Sequence, residues 1–270
     1  MQPRVSPAGA VAPAAMPSPP LRVFWAPGCS SCLRTKEFLA RHGIPFESVN
    51  VAAQPGAMEE LQRLGARSVP VLAIGSRYVY CQSLTDIKTF LELDIADDER
   101  LPPAELARRV NVVIRKALGF VEQMPDDVLD GPFRNSWAPP RGLAHHVFRV
   151  VEAFLEALEE RCELTYEMTM RGTHEVMPGQ NVSAYGEAVL QRFNRWWAAH
   201  GDTGFEAIQP TYWGAQSLHE VFERTTWHAA QHARQLMVVI DAQGDMVNDP
   251  LTPDDLAGLP LPEKAWDDDK

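Results

Sequence analysis

The run Leu21-Arg22-Val23-Phe24-Trp25-Ala26-Pro27-Gly28-Cys29-Ser30-Ser31-Cys32 decides how the first third of the chain is read. A short apolar strand, Leu21 to Trp25, leads into a helix over about Ser30 to His42, and a Cys-x-x-Cys pair falls where the helix begins. Outward from this junction, short apolar runs keep alternating with longer amphipathic stretches, the pattern of an α/β unit. Strands are expected at Phe46 to Asn50, Val71 to Ile74 and Arg77 to Tyr80, and helices near Met58 to Leu64 and at Leu84 to Leu93. Gly75-Ser76, between the last two strands, reads as a tight hairpin turn.

The acidic run from Asp94 ends in Pro102-Pro103 and reads as a linker. Beyond it the apolar period becomes helical, which predicts helices at about Ala104 to Gln123, Arg141 to Cys162, Ser183 to His200 and Ser217 to Asp241. Helices of roughly 20 residues joined by two long connections suggest an all-α four-helix bundle. The expected organisation is therefore a disordered tail at 1–20, an α/β domain at 21–93, a linker at 94–103, a bundle at 104–242 and a loosely attached tail at 243–270. No internal repeat is visible.

A chain of 270 residues with 45% hydrophobic and 23% charged residues has the composition of a globular protein. Its net charge of −11 and the lack of a long basic stretch argue against nucleic-acid binding. The interrupted clusters Arg108-Arg109 and Arg192 to Arg195 read as solvated helix faces. No apolar run approaches the ~20 residues of a membrane span. The Ala/Pro/Ser-rich start lacks the features of a signal peptide, so a soluble cytoplasmic protein is expected. Four cysteines are too few for a disulfide scaffold, and a Cys-x-x-Cys pair suits reversible intracellular redox chemistry.

At a helix N-terminus, unpaired backbone N–H groups and the helix dipole stabilise a thiolate. Cys29 is accordingly the nucleophile and Cys32 the residue that resolves the mixed disulfide. A zinc half-site is the competing reading, but no second Cys-x-x-Cys completes four ligands. Cys81 and Cys162 read as small buried hydrophobes.

The second constellation lies on the last long helix, which opens with the capping box Ser217-Leu218-His219-Glu220. Its apolar stripe runs through Leu218, Val221, Phe222, Thr225, His228, His232, Leu236 and Val239. His228 and His232, four residues apart on the inward face, can converge on one ion, and buried imidazoles without a partner are costly. Hydrogen-bonded core histidines remain the alternative at this point. A third ligand is offered by His146, which lies on the inward stripe Leu143, Val147, Val150, Val151, Phe154, Leu158. His145 falls in line with Arg141, Arg149 and Glu152, the polar face, and is left to a supporting or surface position. Three histidines would leave a fourth coordination position free, the arrangement for activating a thiol or water rather than for structural zinc.

Two family resemblances follow from these residues. Over Leu21 to Leu93 the strand order, the Cys pair and Val69-Pro70 resemble the glutaredoxin-like members of the thioredoxin superfamily. That resemblance implies a cis-proline at Pro70 beside the active disulfide and backbone hydrogen bonds from Val69 and Pro70 to a bound thiol peptide. The chain departs from the family where many members hold glutathione with a Gly-Gly pair. It reads Tyr80-Cys81-Gln82-Ser83, leaving Thr85 and Asp86 as the substitutes for thiol binding. Over Ala104 to Asp241, Trp137, the segment Arg141 to His146 and the segment Thr226 to Gln235 resemble the DinB/YfiT-like four-helix superfamily. This implies a divalent metal, zinc or nickel, on His146, His228 and His232, and a low-molecular-weight thiol such as glutathione as co-substrate.

The fold class expected is thus an α/β thioredoxin-like domain followed by a DinB-like four-helix bundle. The leading functional reading is a metal-dependent thiol-handling enzyme, an S-transferase or thiol-dependent isomerase, with a built-in dithiol redoxin acting on a small thiol or mixed disulfide. Two alternatives stand beside it: a thiol-disulfide oxidoreductase whose bundle supplies only binding specificity, and a metal or redox sensor. Arg234, Gln235 and the Tyr212-Trp213 pair are further candidates for the pocket, and a homodimer is left open.

Overall fold

The computed structural model describes residues 19–96, 99–134 and 136–266, so nearly all of the expected N-terminal tail lies outside the described residues. The first domain runs β1 (Leu21–Trp25), α1 (Ser30–Arg41), β2 (Glu47–Asn50), α2 (Ala57–Arg63), β3 (Val71–Ile74), β4 (Arg77–Tyr80) and α3 (Leu84–Phe90). The sheet order is β2-β1-β3-β4. β1 pairs parallel with β2, which the crossover through α1 permits, and antiparallel with β3. β3 and β4 form the hairpin expected around Gly75, whose φ of +61° suits glycine.

Strand side chains alternate between the two faces. Leu21, Val23 and Leu72 pack with Phe38, Leu39 and Ile87 of α1 and α3. Phe24, Val71 and Ala73 pack with Ala57 and Leu61 of α2. The sheet is covered on both sides, as a thioredoxin-like mixed sheet requires.

The helical part comprises α4 (Pro103–Gln123), α5 (Asp126–Asp130), α6 (Pro140–Glu159), α7 (Tyr166–Met170), α8 (Val182–His200), β5 (Ile208–Thr211), β6 (Gly214–Ser217), α9 (Leu218–Ala242) and α10 (Pro253–Leu256). The long helices α4, α6, α8 and α9 lie where the period placed them. One core unites them, through Val110, Ile114, Val147, Phe154, Phe193, Phe222 and Leu236 among others. The capping box is present: Ser217 Oγ accepts from the Glu220 N–H, and the Glu220 carboxylate accepts from the Ser217 N–H. Among the described residues no helix is long and apolar enough to cross a membrane.

Three features depart from expectation. The β5–β6 hairpin stands in the connection before α9, where no strand was expected. The supposedly polar face of α6 is buried, with Arg141, His145 and Arg149 only 4%, 7% and 4% exposed. Segments on either side of α6 cover that face and supply partners. Arg141 bonds Asp126, Asp130 and the Gln180 carbonyl. Arg149 pairs with Glu152 and Glu156 and donates to the Met168 carbonyl. Paired in this way, charges tolerate burial that an unpaired charge would not.

The third departure is the C-terminal segment, which is not loosely attached. Leu251, Leu259 and Trp266 are buried in the bundle core. Gln231 donates to the carbonyls of Lys264 and Ala265. Glu37 of α1 accepts from the Glu263 and Lys264 N–H groups, and Arg41 pairs with Glu263. The segment therefore straps α1 of the first domain to α9 of the second.

Helices α6 and α8 meet closely at Gly186 of α8, where an added Cβ would lie 2.6 Å from the Phe148 ring of α6. Gly186→Val is expected to destabilise the fold by about 1–3 kcal/mol through overpacking. Urea unfolding followed by circular dichroism measures this, and an unchanged midpoint would refute the close contact.

Candidate functional site

Cys29 and Cys32 form a disulfide. Cys29 is the N-cap of α1, and its Sγ accepts from the Cys32 N–H at 3.2 Å. Cys32 is fully buried while Cys29 is partly exposed. The pair is thus asymmetric in the sense its chemistry needs, with the accessible sulfur held against the positive end of α1.

His146 of α6 and His228 and His232 of α9 bring their Nε2 atoms together. His146 and His228 are separated there by 3.3 Å, and His228 and His232 by 3.0 Å. A tetrahedral ion with bonds of ~2.0–2.1 Å spaces its nitrogen ligands about 3.3 Å apart. The three donors, all within 4.8 Å of one another, fit a single ion. His232 Nδ1 lies 2.7 Å from Gln235 Oε1, so Nδ1 carries the proton and the Nε2 lone pair points into the cluster. Burial pushes His146 and His228 well below their ordinary pKa and His232 down to about 4. Neutral imidazoles are the form that binds metal.

These two centres share one cavity. It measures about 190 Å³ and is lined by Cys29, Ser30, Val69, Gln82, Trp137, Tyr166, Tyr212, Arg224 and the three histidines, among others. Ser30 Oγ, between the two cysteines in sequence, lies 3.5 Å from His232 Nε2. The N-terminus of α1 therefore rests against the histidine cluster. Trp137 stands edge-on to His146 and His232 at 5.1 and 6.3 Å between ring centroids.

The Glutaredoxin family model matches residues 21–79. The chain is 34% identical over 86 residues to the N-acetyl-S-hydroxy-L-cysteine reductase of Bacillus subtilis, covering 91% of that protein and 31% of this chain. It is 31% identical over 78 residues to a glutaredoxin of Pseudomonas aeruginosa, covering 93% of that protein and 28% of this chain. The chain belongs to the glutaredoxin family. The relatives cover about a third of this chain, and the family match ends before the helical part. No solved structure matches the chain at a significant level.

Within the glutaredoxin domain, Val69 lines the cavity and the Val69–Pro70 peptide is cis. Thr85 and Asp86 are placed differently. Thr85 lines a neighbouring interdomain cavity that does not include Cys29. Asp86 accepts from Gln216 Nε2 at 3.2 Å, so the helical part occupies its carboxylate. Burial, with the Glu220 charge nearby, raises the Asp86 carboxyl to about 6. Cys81 is packed as expected, its thiol pushed up to about 12 by burial.

In the helical part, Gln235 orients His232, whereas Arg234 bonds Gln231 and the carbonyls of Pro262 and Glu263 in the C-terminal strap. Tyr212 and Trp213 sit at the turn of β5–β6, with Tyr212 on the cavity. His145, expected on the polar face, stacks on Tyr185 at 4.6 Å and stays outside the cavity.

Sequence reasoning missed Arg224, Gln82, Tyr166 and His174, all of which line the cavity. For Arg224 a signal existed. It precedes His228 by four residues, as His228 precedes His232, so the three occupy one ridge of α9. Gln82 and the others reach the site only through tertiary packing.

The buried imidazoles make stability pH-dependent. In the unfolded chain they protonate near pH 6.5, whereas folded His232 resists protonation down to about 4. Stability of the metal-free chain should fall as pH drops through this window. Between pH 6.5 and 5, His232 alone accounts for roughly 2 kcal/mol. Urea unfolding of the wild type and of His232→Gln at both pH values checks this, the variant showing the smaller loss. Equal losses would contradict neutral burial of His232.

Proposed function

We propose that the protein is a metal-dependent thiol-handling enzyme in which the glutaredoxin disulfide and a His146/His228/His232 metal site act on one small thiol or mixed disulfide. The observation that carries this reading is the shared cavity, with Cys29 on one wall and the three histidines on another. The resemblance of the helical part to the DinB/YfiT-like superfamily supports zinc or nickel there and a thiol S-transferase or isomerase type of reaction. A cavity of about 190 Å³ suits a small thiol, glutathione or another, better than a folded protein substrate. The name of the Bacillus relative points the same way, towards a small cysteine derivative oxidised at sulfur. Nucleic acid and membranes are not among the proposed partners, and the cytoplasm suits a reducible disulfide.

The chain's own chemistry begins with the reduced pair. The Cys29 thiolate, held by the Cys32 N–H and the end of α1, attacks one sulfur of a mixed disulfide R–S–S–R′. The Cys29–SR bond forms, and R′S⁻ leaves. The Cys32 proton passes to the released R′S⁻, and the Cys32 thiolate attacks Cys29 Sγ, expelling RS⁻ and restoring the Cys29–Cys32 disulfide. Two electrons pass from the dithiol to the substrate, and a second thiol donor returns them. A divalent ion on the three histidines would supply Lewis-acid stabilisation of a thiolate at its open position. Ser30 joins the two walls at His232, and Trp137 packs edge-on to His146 and His232 on the helical side.

A second reading, an oxidoreductase whose helical part only shapes the binding site, is favoured by the aromatic lining of Trp137, Tyr166 and Tyr212. Turnover of a small mixed disulfide by the zinc-loaded full chain separates the two. Cys29→Ser is expected to abolish turnover. His228→Ala is expected to lose bound metal and slow turnover by about tenfold or more. Loss of metal with unchanged turnover would support the second reading, and metal binding without any turnover would indicate a sensor.

A further inference from the structure

Arg224 is only 5% exposed, and among the described residues its hydrogen-bond acceptors are neutral. Its Nε donates to Gln82 Oε1 at 3.1 Å and its Nη2 to the Tyr212 hydroxyl at 3.0 Å, while the guanidinium lies 4.6 Å from the Trp213 ring centroid. Arg34 of α1, 4% exposed, stands behind it. Arg34 Nη2 donates to the Gln82 carbonyl, its guanidinium lies 3.9 Å from the Trp227 ring centroid, and its Nε is buried without a hydrogen-bond partner.

Other buried arginines of the chain are treated differently. Arg141 and Arg149 each meet two carboxylates, and Arg109 meets Glu105. Glu99, Glu220 and Glu223 line the adjoining cavity together with Arg34, Arg224, Lys88 and Arg100. Glu220 is taken by Arg100. Glu223 acts on Arg34 through space without bonding it, and burial together with the Arg224 charge lowers Arg34 to about 9. Two adjacent cations out of water, stacked on indoles and bonded to neutral oxygens, recover only part of their lost hydration. Among the described residues no carboxylate bonds either guanidinium.

We infer that Arg224, backed by Arg34, is an anion subsite on the wall of the cavity between Cys29 and the three histidines, and that it takes the carboxylate of the thiol substrate. The inference rests on the reading that a small thiol enters this cavity. Arg224 lines the cavity itself and lies one helical turn, roughly 6 Å along the axis, before His228. A cysteine-sized molecule with its carboxylate on Arg224 can therefore present its sulfur to Cys29 and the histidine cluster. The ligand class is a thiol or disulfide bearing a carboxylate close to sulfur, such as an N-acylated cysteine or a cysteine peptide. A guanidinium in a dry site discriminates strongly for a carboxylate over a neutral amide.

Equilibrium binding to the oxidised, metal-free full chain tests this apart from any reaction. The probes are N-acetyl-S-methylcysteine, which has a carboxylate and cannot exchange disulfides, and its uncharged primary amide. The wild type is expected to bind the carboxylate at least about tenfold more tightly, with Arg224→Gln erasing the preference and Arg224→Lys retaining part of it. Equal affinity for the two probes, or no binding of either, would overturn the anion subsite. The wild-type comparison needs no variant to fold. A preserved preference alongside failure of the turnover test would remove the enzymatic reading and leave the subsite standing.

Discussion

Gln82 holds the two halves of the molecule together at the point where their chemistry meets. Its Oε1 accepts from Ser31 of the Cys-x-x-Cys segment and from Arg224 of α9, and its backbone carbonyl accepts from Arg34. Three donors from two domains thus converge on one buried residue just after β4. Arg34 continues the contact by stacking on Trp227, the neighbour of His228. The C-terminal strap reinforces it from the other end of α1, through Glu37 and Arg41. With α1 anchored at both ends, Ser30 rests on His232 and the disulfide faces the histidines.

This docking changes what a glutaredoxin disulfide can meet. The accessible sulfur of Cys29 opens into a cavity walled by Trp137, Tyr166 and Tyr212 of the helical part. The Asp86 carboxylate is engaged by Gln216 of β6. Selectivity in such a site comes from groups contributed across the interface, with the three-histidine cluster among them. Three neutral imidazoles that meet at their Nε2 atoms are costly to bury together and become favourable when one ion satisfies them all.

Local chemistry was legible in the sequence wherever a short-range rule governs it. The strand-to-helix step around Cys29, the hairpin at Gly75 and the capping box at Ser217 all follow from neighbouring residues. The inward direction of His146, His228 and His232 follows from the helical period. What escaped reading depends on contacts between distant segments. Arg141, His145 and Arg149 form a polar line that the period assigns to solvent, yet α5 and α7 bury it by supplying carboxylates and carbonyls. The C-terminal segment reads as a proline-rich acidic tail because its anchors, Leu251, Leu259 and Trp266, are too widely spaced to form a periodic pattern. Arg224 reads as one more helical cation until Gln82 and Tyr212 are brought against it.

The central claim is that one cavity holds both a metal ion and the redox disulfide. Anomalous diffraction from a crystal of the zinc-loaded full chain tests it most directly. The account predicts a single zinc peak within ~2.0–2.1 Å of the Nε2 atoms of His146, His228 and His232, in the same cavity as Cys29 Sγ. A zinc peak elsewhere, or an ion on the histidines with the glutaredoxin domain turned away from it, would contradict the account.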